Sequence, residues 1–220
     1  LAYYLAKDVK PENLAASSAR LFLGLQLECA QCHDHPFSKW TRDQFWGTAA
    51  FFGGVERTNG TLREVMDRRE MPIPNTNRIV QATFLSDKEP EWRYKQSSRI
   101  PLAEWATAGD NPFFATATVN RFWDFCFGVG VVDPIDNLDP KNPPSHPKLL
   151  ELLGKQFVAA GFDLRYLLKA ICLSDTFQRS SVVADPQHQD VRKFARFPLH
   201  GLTPEQLFTA LGQIVGPRTV

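Results

Sequence analysis

The sequence has almost no excess of charge of either sign, because 25 Lys and Arg stand against 24 Asp and Glu and give a formal net charge of +1. Nucleic-acid-binding proteins normally present a strongly basic face, so this balance argues against a nucleic-acid partner. No apolar run approaches the ~20 residues that a membrane-spanning helix needs, which excludes a membrane span in this segment. An initiator Met and the basic start of a signal peptide are also missing, which predicts that Leu1 lies inside a longer chain.

The sequence is rich in helix signals and in aromatic residues, 17 of which are Phe. Hydrophobic periodicity and capping patterns predict a mainly α fold with two helical halves. We expect the halves to span residues 1–54 and 101–220, joined by an irregular insertion over 55–100. A β-prone run from Arg78 to Leu85, set among Pro, Asn and Asp residues, predicts a little β structure in the insertion, about two strands.

Three helix starts are marked by residues that typically cap an N-terminus. Thr41 followed by Gln44, and Thr203 followed by Gln206, each form a capping-box pattern, while Asp163 precedes a third helical stretch. A capping side chain accepts a hydrogen bond from a backbone N–H that the first helical turn leaves unpaired. These patterns therefore predict helices that begin at residues 42, 164 and 204.

The motif Cys29-x-x-Cys32-His33 is the attachment sequence of c-type haem. Two thiols at this spacing can each add to one vinyl group of haem, and His33 is then held under the iron as the proximal ligand. With four Cys and five His in 220 residues, chance produces this pattern only about 0.002 times per chain. The sequence therefore predicts covalently bound haem c.

Three other interpretations of the same segment remain open. Cys29 and Cys32 are also the right pair for a redox or structural disulfide. Together with His35 and a distant fourth ligand they would hold zinc or another transition metal, although no second Cys-x-x-Cys or His-x-x-His pattern follows. The segment would otherwise be a packed turn that binds no metal.

The surroundings of a haem at this motif are also predicted. His35 is too close to His33 in sequence to reach the far face of the haem, so we expect it to hydrogen-bond a propionate, a carbonyl or Asp34. We expect the haem to lie between the first two helices, where an aromatic wall raises its reduction potential. The residues of this predicted wall are Phe37, Trp40, Phe45 and Trp46.

The sixth iron ligand has two candidates, Met71 in the insertion and His146 in a proline-rich loop. Pro72 and Pro74 flank the Met71 segment, which shows no sign of docking on the first helix pair, so the sequence slightly favours a site without a Met ligand. His146 is equally well explained as the cap of the helix that Pro147 begins.

Two further cysteines lie in apolar surroundings in the second half. Cys126 stands between two Phe residues, and Cys172 stands between Ile and Leu. Small apolar surroundings of this kind favour free thiols over a bridge, so we expect both to be free.

Several longer motifs resemble a known pair of domains, a planctomycete cytochrome C-like domain followed by a planctomycete-specific domain of unknown function. The first half carries LFLG at 21–24, CAQCHDHPF at 29–37 and AAFF at 49–52. The second half carries NPFFA at 111–115, VNRFW at 119–123 and NPPSHP at 142–147. The resemblance implies that residues 1–54 are the C-terminal part of a cytochrome C-like helical domain and 101–220 the α-helical planctomycete-specific domain. It also implies a large exported bacterial protein without a settled activity.

The expected function is electron transfer by a c-type haem protein within a larger exported protein. Its partner would be a redox protein or domain, with a polysaccharide or cell-surface component as another expected partner. Because haem is attached to Cys pairs outside the cytoplasm, we expect a periplasmic or cell-surface location. Two alternatives stay open: a non-haem metal-binding or structural, polymer-binding module, and a haem- or metal-dependent oxidoreductase in which His146 and Arg121 face an open coordination position.

Overall fold

The computed structural model describes residues 2–183, 185, 187, 189–199 and 201–216. The α-helices are α1 (Ala2–Leu5), α2 (Pro11–Ser18), α3 (Arg42–Ala50), α4 (Arg99–Ala106), α5 (Phe114–Phe127), α6 (Pro147–Ala159), α7 (Leu164–Cys172) and α8 (Pro204–Val215). A π-helical segment (Ala19–Leu23) extends α2, and 3₁₀ turns occur at Glu28–Gln31 and Val191–Lys193. The strands are β1 (Val55–Thr58), β2 (Thr61–Glu64), β3 (Glu70–Pro72) and β4 (Ile79–Gln81).

The prediction of a mainly α fold is wrong, because the fold is mixed. Over the described residues the chain is 43% helical, and two small antiparallel sheets stand beside the eight α-helices. β1 pairs with β2 and β3 pairs with β4, so each sheet is a local hairpin. The first hairpin turns through Asn59 and Gly60, both at positive φ, which is the strongest short-range hairpin signal in a sequence. The sequence-based prediction overlooked this Asn-Gly pair.

The predicted helix starts are confirmed. Thr41 and Gln44 form a complete capping box at the start of α3, and Thr203 and Gln206 form another at the start of α8. Asp163 accepts hydrogen bonds from the backbone N–H groups of the first turn of α7. Local capping interactions therefore determine where these three helices begin.

The first hydrophobic core joins α2, α3 and the insertion. Leu14 of α2 is fully buried, and Phe45 and Trp46 of α3 and Phe51 just after it are at most 2% exposed. Phe84 of the insertion stacks on Phe51 with ring centroids 5.4 Å apart. Removing such aromatic surface from water is the main favourable term that holds the insertion against α3.

The second core lies between α5, α6 and α7. It is built from Val119, Trp123 and Phe127 of α5, packed with Phe157 of α6 and Leu167 of α7. α5 ends where Gly128 takes a left-handed conformation with φ 71°, which glycine adopts without strain.

The long loop between α5 and α6 returns to the first half of the chain. The backbone N–H of Leu138 donates to the carbonyl of Gly24 at 2.9 Å. Asp136 accepts a hydrogen bond from Gln26 at 3.0 Å and pairs with Arg20 at 3.3 Å. Residues just before the Cys-x-x-Cys-His motif therefore contact this loop, although more than a hundred positions separate them in sequence.

An ion pair with its hydrogen bonds ties the insertion to α4. Glu64 accepts hydrogen bonds from Arg99 Nη2 at 2.6 Å and from Ser97 Oγ at 2.5 Å. Burial favours the neutral carboxyl group, but the hydrogen bonds from Arg99 and Ser97 and the charge of Arg99 outweigh it and lower the Glu64 pKa.

We expect Glu64→Gln to lower the free energy of unfolding at pH 7 by about 1 kcal/mol or less. A depressed folded-state pKa stabilises the fold above the unfolded-state pKa, and this stability is lost as pH falls through the folded-state value. The difference between Glu64→Gln and the parent should therefore shrink below about pH 4 in urea unfolding. Glu151→Gln, which removes an exposed i,i+4 partner of Lys155, is the control. A difference that grows on acidification would contradict this role.

In the part of the chain that the structure describes, no helix combines the length and the apolar character needed to cross a membrane.

Candidate functional site

The two cysteines of the motif lie on one exposed face of a short turn. The π-helical segment ends at Gly24, and the chain then forms the 3₁₀ turn Glu28–Gln31, with Cys32 as its C-terminal cap. Residues three apart in a 3₁₀ helix lie on the same side, so Cys29 and Cys32 face solvent together. Both are exposed free thiols, whereas Ala30 between them is fully buried.

His33 follows this face and is itself exposed. Its Nδ1 lies 2.7 Å from the backbone carbonyl oxygen of Asp34. A carbonyl oxygen only accepts, so Nδ1 carries the proton and donates, which leaves the lone pair of Nε2 free. This arrangement selects the tautomer that a metal-ligating imidazole needs.

The start of α3 anchors the motif. Trp46 Nε1 donates to the carbonyl of Gln31 at 3.0 Å, and Arg42 Nε donates to the same oxygen at 3.3 Å. The backbone N–H of Arg42 donates to Asp34 Oδ1 at 2.8 Å, and its Nη2 reaches the carbonyl of Pro74 at 2.7 Å. Three hydrogen bonds from two residues of one helix thus hold the segment from Gln31 to Asp34.

His35 shapes the turn that follows the motif. Its Nδ1 accepts hydrogen bonds from the backbone N–H groups of Phe37 at 3.2 Å and Ser38 at 3.0 Å. The structure therefore gives His35 two backbone N–H partners, where the sequence predicted a propionate, a carbonyl or Asp34. Because Nδ1 accepts, the neutral ring carries its proton on Nε2.

A cavity of about 190 Å³ lies beside His35, between the motif loop and the α5–α6 loop. Its polar edge combines an imidazole, a hydroxyl, a carboxylate, an ammonium and three amides. These groups belong to His35, Ser38, Asp139, Lys141, Gln26, Asn137 and Asn142. Sequence reasoning did not bring the α5–α6 loop residues together with His35, because no spacing pattern links positions about a hundred residues apart.

Asp139 is the charged centre of this cavity. Burial favours its neutral form, but the Ser38 hydroxyl beside it and the backbone N–H of Lys141, which donates at 2.9 Å, favour the carboxylate. The positive charge of Lys141, and of His35 when protonated, acts in the same direction, so the Asp139 pKa lies below its usual range.

Only part of the predicted aromatic wall is open to a ligand. Phe37 is 71% exposed, whereas Trp40 is 5% exposed and packs edge-on against Phe113 of the second half. Phe45 and Trp46 belong to the core beneath the motif. Aromatic spacing in the sequence shows that a face is buried, but it does not show what covers that face.

The two candidates for the sixth ligand lie in other surroundings. Met71, in β3, packs against the first hydrophobic core. His146 is the N-cap residue of α6, but its side chain makes no capping hydrogen bond. Its Nδ1 lies 3.1 Å from Ser145 Oγ, and its ring centroid lies 5.5 Å from that of Phe194. Neither lines the cavity beside His35. Arg121, predicted to share an open site with His146, donates instead to the carbonyl of Arg20.

Among the described residues, no group of three or more His, Cys, Asp and Glu side chains is arranged to hold a metal ion. This finding covers the described part of the chain alone, and the zinc interpretation of Cys29, Cys32 and His35 with a distant fourth ligand stays a prediction.

Comparison with known proteins places the chain among domains of planctomycete type. A family model named PSD1, a protein of unknown function (DUF1553), matches residues 98–217, which is more than half of the chain. The protein belongs to this family. A second model, PSCyt2, also a protein of unknown function (DUF1549), matches residues 5–57. The resemblance to planctomycete domains of unknown function is confirmed at this level.

A search of the curated proteins and a search of the solved structures both find no match to the chain.

Proposed function

We propose that this protein binds haem c covalently through Cys29 and Cys32, with His33 as proximal iron ligand, and transfers electrons within a larger exported protein. The observation that carries the proposal is the geometry of the motif. Two exposed free thiols lie on one side of a 3₁₀ turn, and the next residue presents a free Nε2.

The chain's own residues do three things in this proposal. The thiols of Cys29 and Cys32 would each form one thioether bond to a vinyl group of haem, and His33 Nε2 would be the proximal iron ligand. Trp46 and Arg42 keep the backbone of the motif fixed through their bonds to Gln31. The bound haem would supply a one-electron couple between ferrous and ferric iron.

The open surroundings of the motif determine the character of such a site. Phe37 offers an exposed ring beside the thiols, and Lys141 and the Nε2–H edge of His35 are donors suited to a propionate. Because Phe45 and Trp46 are covered by the core, they do not shield a ligand from water. A solvent-exposed edge favours electron exchange with a redox partner and lowers the reduction potential relative to a buried haem.

Haem attachment implies a periplasmic or cell-surface location, since it occurs outside the cytoplasm. The partner is then a redox protein or domain that reaches the exposed motif. A polysaccharide or cell-surface component remains an expected further partner.

The proposal is tested by producing the protein in a host with a c-type haem maturation system and recording a pyridine haemochrome spectrum. We expect haem that resists acid-acetone extraction. Cys29→Ala/Cys32→Ala should abolish covalent attachment, whereas Cys126→Ala/Cys172→Ala, the matched control, should keep it. His33→Ala should change the spectrum. Absence of haem from the unsubstituted protein, or haem that extracts fully, would refute the proposal, and zinc in elemental analysis would support the metal-binding alternative.

The sixth position is tested by carbon monoxide and by Met71→Ala. Since Met71 packs against the core, we expect this substitution to leave the haem spectrum unchanged and the reduced protein to bind carbon monoxide readily. Loss of a weak far-red absorption band in Met71→Ala would show instead that this thioether is an iron ligand.

A further inference from the structure

A second pair of cysteines meets in the helical half of the protein, far from the haem motif in sequence. Cys126 is the next-to-last residue of α5, and Cys172 is the last residue of α7. Their thiols are hydrogen-bonded to each other. Both line a groove of about 360 Å³ whose other walls include Leu168, Phe177 and Phe197.

The packing of α5 on α7 holds the two thiols together. Trp123 and Phe127 of α5 and Leu167 and Ile171 of α7 belong to one buried core. Because both cysteines lie at helix ends, small backbone adjustments there disturb few helical hydrogen bonds. A disulfide requires the sulfur atoms to approach from hydrogen-bonding distance to the ~2 Å of a covalent bond.

The two thiols differ in environment. Cys126 is 8% exposed, whereas Cys172 is half-buried and closer to solvent. Burial, and next the neighbouring Cys172 thiol, raises the pKa of Cys126 to about 11. At neutral pH the more accessible Cys172 is thus the better first nucleophile.

We propose that Cys126 and Cys172 form an intramolecular disulfide when the protein meets a small-molecule or protein disulfide. Cys172 loses its proton and attacks one sulfur of the external disulfide, whose S–S bond breaks and releases one thiol. Cys126 then loses its proton and attacks Cys172 Sγ, which releases the second thiol. Two electrons and two protons pass from the cysteines to the oxidant, so one disulfide is exchanged for another.

The cross-link would join α5 to α7 and close the chain between 126 and 172 into one loop that contains α6. A disulfide that closes a loop of this size restricts the unfolded chain. We expect the oxidised form to melt about 5–10 °C above the reduced form.

The test uses Cys29→Ala/Cys32→Ala, which removes the two exposed thiols and with them haem attachment, so the proposal stands or falls separately from haem binding. The protein is incubated with glutathione disulfide and alkylated under denaturing conditions, before and after reduction. We expect no alkylation before reduction, a mass loss of two hydrogens, and a peptide that links 126 to 172. Two alkylated thiols, two glutathione adducts or a disulfide-linked dimer would each overturn the proposal.

Single substitutions separate the two steps. In Cys126→Ser we expect Cys172 to keep one glutathione as a stable adduct, and in Cys172→Ser we expect Cys126 to react far more slowly. Because the Cys126 thiolate is scarce below pH 11, release of the second glutathione should accelerate by nearly tenfold per pH unit between about pH 7 and 9. A release rate independent of pH would contradict the assigned order. Peptide mapping of the unsubstituted protein checks the same link without any substitution.

Discussion

Trp46→Ala is expected to lower the free energy of unfolding by about 3–5 kcal/mol, the range for removing a large buried aromatic side chain. Trp46 is 2% exposed and packs edge-on against Phe45, so its loss leaves a cavity in the first core. It also removes the Nε1 hydrogen bond to the carbonyl of Gln31. The substitution therefore weakens the core and also removes one of the hydrogen bonds that hold the motif.

Urea unfolding followed by circular dichroism measures this effect. Trp46→Phe keeps most of the apolar volume but removes the N–H donor, so it should cost less than Trp46→Ala. It should nevertheless increase amide hydrogen exchange around residues 28–33. Phe37→Ala, a control next to the same loop, removes a ring that is 71% exposed and should change stability by less than about 0.5 kcal/mol. Equal losses for Trp46→Ala and Phe37→Ala would contradict the core position of Trp46.

Asn120→Leu is expected to lower the free energy of unfolding by about 2–5 kcal/mol, because it leaves two buried backbone groups of Val132 without their partner. Asn120 is fully buried in α5. Its Oδ1 accepts from the N–H of Val132, and its Nδ2 donates to the carbonyl of the same residue, both at 2.8 Å. The Asn120 side chain thus pairs with the backbone of Val132 as a neighbouring β-strand would. This pairing fixes the start of the α5–α6 loop.

The turn around Asn120 has no room for a larger residue. A Cβ at Gly130 would lie 2.3 Å from the carbonyl oxygen of Val132 and 3.1 Å from Asn120 Nδ2. Gly130→Ala should therefore destabilise the same loop, and Asn77→Leu at an exposed position is the control for side-chain type. Thermal unfolding of the variants measures the effect. A loss for Asn120→Leu no larger than that for Asn77→Leu would contradict the role of the amide.

Because this loop carries Asp139 and Lys141 to the cavity beside His35, we expect Asn120→Leu to disturb the candidate site as well. A merely local role would lower stability and leave the motif unaffected. The structure predicts that hydrogen exchange near residues 35–40 also rises in Asn120→Leu, since Leu138 no longer holds firmly to Gly24.

Local residue chemistry made several features predictable from the sequence. Thr41, Asp163 and Thr203 place the starts of three helices, because a cap and its first turn interact within three or four residues. The Asn59-Gly60 pair is also a local signal, and it is typical of a two-residue hairpin turn. The sequence-based prediction assigns it to an irregular segment and therefore misses the first hairpin of the mixed fold.

The sequence by itself determined the spacing of Cys29, Cys32 and His33, because that spacing is covalent and needs no other part of the chain. Only the tertiary structure decided that Phe45 and Trp46 face the core, that Asp139 lies beside His35, and that Cys126 meets Cys172. These outcomes depend on how helices and loops distant in sequence pack together. Apolar burial drives that packing without regard to sequence separation, so no local pattern records it.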